Sequence, residues 1–90
     1  MSTENYINHP TFGLLFRLCL LDEGTELFAT LYAQRLFFIV SPAIPKGLAF
    51  EAIGRGDARQ MVEERMRHLR RRGDYSEYDR LQKIYKKTFQ

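Results

Sequence analysis

From Phe12 to Leu21 the chain reads FGLLFRLCLL. Phe12, Leu14, Phe16, Leu18 and Leu20 share one parity and are all apolar, while Gly13, Leu15, Arg17, Cys19 and Leu21 share the other and are mixed. A period of two with one apolar side predicts a strand with a single core face. DEGT (22–25) then interrupts the apolar run with turn chemistry. Glu26 to Tyr32 reads as a second strand and Arg35 to Ser41 as a third. Ala33-Gln34 lies between them as a tight hairpin that lacks the usual Asn-Gly pair. SPAIPKG (41–47) is a loop, Leu48 to Ile53 a last strand, and Gly54 its end. Tyr6 to Asn8 adds an edge strand before Pro10. Short strands joined by short turns predict a small, strongly bent antiparallel sheet, like an SH3-like or Tudor-like barrel.

After Gly54 the period changes. Gly56-Asp57 can open a helix, with Asp57 at the positive end of its dipole. Ala58, Met61, Val62, Met66 and Leu69 recur at helical spacing and form one apolar stripe. Arg70, Arg71 and Arg72 fall in the last turn, where cations suit the dipole, and Gly73 fits the position just past the end. Asp74 reads as the next N-cap, with Glu77 as its capping-box partner. Tyr78, Leu81, Ile84, Tyr85 and Phe89 make the second stripe. The fold class is therefore α+β: a β-barrel-like sheet over residues 1–54, followed by a C-terminal two-helix hairpin over 55–90.

The segment ELFATLYAQRLFF (26–38) does not fit a simple two-sided sheet. Phe28, Thr30 and Tyr32 share one parity, Leu27, Ala29 and Leu31 the other, and both are predominantly apolar; the next strand repeats this with Phe37 and Ile39 against Leu36, Phe38 and Val40. One explanation is that the helices cover the outer face. The other is that apolar and aromatic surface stays exposed to meet a partner protein, since each helix has only one narrow stripe to offer.

Charge sharpens the division into halves. Residues 1–53 carry three basic and five acidic side chains, net −2, whereas residues 54–90 carry eleven and six, net +5. The basic run RHLRRRG (67–73) admits nucleic-acid binding by a small β-barrel protein as an alternative function. The plainer reading is a solvated helix end. One cysteine excludes an internal disulfide and a thiolate metal cluster, and the N-terminus lacks a signal-peptide pattern. Both features fit a cytoplasmic protein. His9, before Pro10, reads as a turn residue, His68 as a solvated helix residue, and Cys19 as a half-buried filler of a strand. No spacing joins them into a nucleophile–base pair or a ligand set, and GRG (54–56) is too short for a phosphate loop. The expectation is a non-enzymatic protein with no catalytic, metal or cofactor site.

ENYINHPTFG (4–13) and ELFATLYAQRLFF (26–38) resemble the two signature segments of the PipX family, the cyanobacterial PII-interacting proteins X. FEAIGR (50–55), RHLRR (67–71) and the ending YKKTF (85–89) are similar as well, so the resemblance runs from Glu4 to Phe89; nothing is carried over onto SPAIPKG. It implies a Tudor-like domain, a pair of C-terminal helices and no enzymatic activity. The implied partners are the trimeric signalling protein PII, gripped by its T-loops, and the dimeric CRP-family nitrogen regulator NtcA, for which such proteins are coactivators. Partner choice is implied to follow 2-oxoglutarate and ADP or ATP sensed by the partners, with no cofactor on this chain. By the same resemblance Tyr32, Gln34, Arg35, Leu36 and Phe38 form the centre of the contact face, flanked by Glu4, Tyr6 and Phe12. Phe28 and Phe37, set opposite in parity to Phe38, are assigned to the core. The helices are expected to pack loosely and to offer contacts to DNA or RNA polymerase at NtcA-bound promoters. The chain is expected to be monomeric alone, with no membrane partner.

Overall fold

A computed structural model describes residues 5–22, 24–31 and 36–90. Among these residues five strands, β1 (Tyr6–His9), β2 (Gly13–Leu20), β3 (Glu26–Thr30), β4 (Phe37–Pro42) and β5 (Leu48–Ile53), precede two helices, α1 (Arg55–Arg72) and α2 (Tyr75–Phe89). The strands form one antiparallel sheet in chain order. β1 and β5 are its two edges, yet His9 of β1 and Phe50 of β5 meet with ring centroids 4.7 Å apart. The sheet therefore curls into a half-barrel, as the short strands and tight turns predict. Asp22 and Thr25 close the β2–β3 turn, and the β3–β4 break at Ala33-Gln34 lies outside the described residues.

The single-faced reading of β2 does not hold. Its pairing with β3 slips between Arg17 and Cys19, and the extra residue of a bulge shifts the alternation by one. Leu15 is buried inside the curl with Phe28, Phe38 and Val40. Leu18 and Cys19 are both buried on the other face. Leu20, read as a core residue, lies beyond the slip and is exposed. Cys19 is fully buried, not half-buried, and burial pushes its thiol up to about 12.

The two apolar parities of Glu26–Phe38 now have an account. Leu27, Ala29 and Phe37 join Leu18 and Cys19 on the outer face, where Ala58, Val62, Leu69, Leu81, Tyr85 and Phe89 of the helices complete the larger core. Phe28 and Phe38 fill the inner cluster. Phe37 stacks on Phe89 at 5.5 Å. Arg55 lies 5.3 Å over the Phe89 ring and donates to the Thr88 carbonyl at 3.0 Å. The helices are thus not loosely packed: their stripes are the other half of the main core. The change from strand to helix falls at Gly54, and the core spans it.

Helix punctuation follows local chemistry. α1 begins at Arg55, slightly before the expected Gly56-Asp57, on Gly54 with no side-chain cap. Gly73 takes φ 79°, a conformation that suits a residue without Cβ, and its N–H and that of Asp74 return to the Arg70 and Leu69 carbonyls. Asp74 caps α2 by accepting from the Glu77 N–H at 3.4 Å. The Glu77 carboxylate accepts two bonds from Arg80, which hold it below the usual carboxylate range. No described helix is long and apolar enough to cross a membrane.

Candidate partner-binding face

The β1–β2 connection is short because its chemistry is local. His9 pairs with Gly13 across a loop of Pro10, Thr11 and Phe12, and Gly13 takes φ 79°, the left-handed conformation that ends a three-residue hairpin loop. The Nδ1 atom of His9 accepts N–H bonds from Thr11 at 3.0 Å and Phe12 at 3.2 Å. Its ring lies 5.0 Å from Phe12, 4.9 Å from Phe38 and 4.7 Å from Phe50. Phe12 and Phe38 are themselves 5.7 Å apart. Four rings from a turn and three strands thus form one layer at the open end of the curl, and Phe12, 48% exposed, is its solvent side.

At the neighbouring β3–β4 connection the Thr30 N–H donates to the Leu36 carbonyl at 3.0 Å, and the Leu36 N–H to Thr30 Oγ1 at 3.4 Å. Leu36 is 41% exposed and shares the parity of Phe38. The described residues of the expected contact face therefore divide. Phe12 and Leu36 are half-exposed and belong to the inner side of the sheet. Phe38 is only 3% exposed. It pairs with Phe28 rather than opposing it, so the parity argument that separated these two rings is corrected. Phe38 lies under Phe12 and offers almost no surface of its own. Tyr6 is 49% exposed but pairs with Phe16, whose side chain packs on the helix-facing core; it stands on the other side of the edge from Phe12. Glu4, Tyr32, Gln34 and Arg35 lie outside the described residues.

His9 is the residue that sequence reasoning undervalued. The spacing His-Pro-Thr-Phe-Gly marks a hairpin loop with an acceptor at its first corner, and it was available in the chain. What was not available is the approach of β4 and β5 rings to the imidazole.

Elsewhere the polar geometry is structural. Arg59 donates to the Tyr85 hydroxyl at 2.9 Å and to Glu63 at 3.3 Å, while Tyr85 donates to Glu63. The Tyr85 bond, with Arg59 beside it, holds the Glu63 carboxyl below its usual range. A shallow depression of about 540 Å³ between α1 and the β2–β3 turn is bordered by Asp22, Asp57, Glu64, Arg65 and His68. It mixes both signs of charge around His68. Among the described residues no group of histidine, cysteine and carboxylate side chains is placed to hold a metal ion.

A family model described as PII-interacting protein X matches residues 3–89. A search of curated proteins returned no match to the chain.

Proposed function

The chain belongs to the PII-interacting protein X family, and on that premise we propose that it is a non-enzymatic regulatory adaptor that binds either PII or NtcA. The family match over nearly the whole length supports the PII part of this reading, and the NtcA part rests on the resemblance of the signature segments. In it the chain coactivates transcription with NtcA when 2-oxoglutarate is abundant and is held by PII when ADP prevails. One face serves both partners, so the complexes exclude each other. A change of about 3 kcal/mol in relative affinity then shifts occupancy roughly a hundredfold. The effectors act on the partners and need no site on this chain.

The contact face in this proposal includes Phe12 and Leu36 among the described residues, and Glu4, Tyr6, Tyr32, Gln34 and Arg35 are its other members. Phe38 acts from beneath, as the support of Phe12. A half-exposed aromatic ring seated on buried rings suits such a contact, because a rigid apolar body loses little freedom on binding. Purified PII on a sensor surface tests the proposal. Binding should occur with ADP and disappear with ATP plus 2-oxoglutarate. Tyr32→Ala and Phe12→Ala should each weaken it by about tenfold or more, as hot-spot truncations do. Absence of binding under both conditions would refute the reading.

Arg70, Arg71 and Arg72 stand exposed at the end of α1 and support a second role for the helical face, contact with DNA or RNA polymerase at NtcA-bound promoters. The same residues favour the alternative of direct nucleic-acid binding. If that alternative held, affinity for a DNA duplex would fall steeply with added salt, whereas an aromatic contact with PII would change little.

A further inference from the structure

We propose that His9 is a positioning residue that presents Phe12 to the partner, an inference that rests on the PII-binding reading above. Two separate features of one side chain support it. The Nδ1 atom accepts from both the Thr11 and Phe12 N–H groups, at 3.0 and 3.2 Å. This places the imidazole proton on Nε2 and ties the Phe12 backbone to the end of β1. The imidazole face, in turn, sits among Phe12, Phe38 and Phe50 at centroid separations of 4.7 to 5.0 Å. Phe38 and its cluster are buried, so the imidazole connects a fixed interior to a half-exposed ring. Without it, the Thr11 and Phe12 amides lose their acceptor, and among the described residues the ring contact left to Phe12 is that with Phe38 at 5.7 Å. A ring held in place before binding avoids an ordering cost at the interface.

The two features can be removed one at a time. In asparagine, Oδ1 occupies the same place along the side chain as Nδ1 of histidine and can accept the same two N–H bonds, as in an Asx-turn. His9→Asn therefore keeps the acceptor and deletes the ring. His9→Phe keeps a ring and deletes the acceptor. In the free protein, the Thr11 and Phe12 amides of His9→Phe should exchange about tenfold faster than in wild type, while those of His9→Asn stay protected. Unchanged exchange in His9→Phe would overturn the proposed tie.

Affinity for PII with ADP provides the second arm. His9→Asn and His9→Phe should each weaken binding by about tenfold in the wild-type background and by less than about twofold in a Phe12→Ala background, because residues acting through one another are not additive. Equal losses in both backgrounds would show that His9 only supports the fold, and the inference would fail while the PII reading stood. Failure of the wild-type chain to bind PII would instead bring down that reading and this inference with it.

Discussion

Cys19 illustrates how much one residue's surroundings decide. It lies on β2 behind the helices, and burial pushes its thiol from the ordinary 9.0 up to about 12. A thiol raised in the folded state stabilises the fold fully below about 9, and that contribution is lost as pH rises through about 12. Two outcomes follow at this scale. A thiol reagent at neutral pH should label the native protein far more slowly than the urea-unfolded chain, and stability should decline through the same alkaline window less in Cys19→Ala than in wild type. Native labelling as fast as in urea would mean that the strand is not covered.

At the scale of elements, α1 and α2 are joined by polar as well as apolar contacts. Arg59 and Glu63, one turn apart on α1, both bond to the Tyr85 hydroxyl of α2. The Glu63 carboxyl is thereby lowered in the folded state. Its contribution to stability is present above its ordinary value of 4.5 and is lost as pH falls through the depressed folded value. Tyr85→Phe removes the main cause, so a carboxyl-carbon titration by NMR should find Glu63 titrating at higher pH in the variant than in wild type. An unchanged Glu63 midpoint would count against the helix–helix bond. The pair is solvent-accessible, so its effect on overall stability is small.

The whole molecule depends on a core that crosses from sheet to helices. Leu18, Cys19, Leu27, Ala29 and Phe37 are buried in one cluster with Ala58, Val62, Leu69, Leu81, Tyr85 and Phe89 of the helices. A fragment of residues 1–54 should therefore lose cooperative unfolding, followed by circular dichroism in urea, instead of behaving as a smaller native sheet. Cooperative unfolding of that fragment would contradict the shared core. The milder Phe89→Ala should cost about 3 to 5 kcal/mol, because it empties the site that stacks on Phe37. Deleting the helices is thus a poor test of what their outer surface does. Point changes at Arg70, Arg71 or Arg72, exposed and away from the buried stripe, keep the fold out of the comparison.

The chain by itself marked the turns and breaks between elements, because these are local chemistry, although α1 begins at Arg55, ahead of the expected Gly56-Asp57. DEGT, the Gly54 break, Gly73 in its left-handed conformation and Asp74 as a cap all act within a few residues. The stripes of α1 and α2 were legible for the same reason, and so was family membership, which is carried by long unusual segments. Only the tertiary structure decided the faces. One extra residue in β2 reverses every later side chain, and alternation has no mark for it. Both parities of β3 and β4 are apolar, so pattern could not say which met the helices and which filled the curl; that assignment placed Phe38 under the surface beside Phe28. The part played by His9 needed the sheet to curl until β1 met β5, a contact between the two edges that spacing along the chain does not encode.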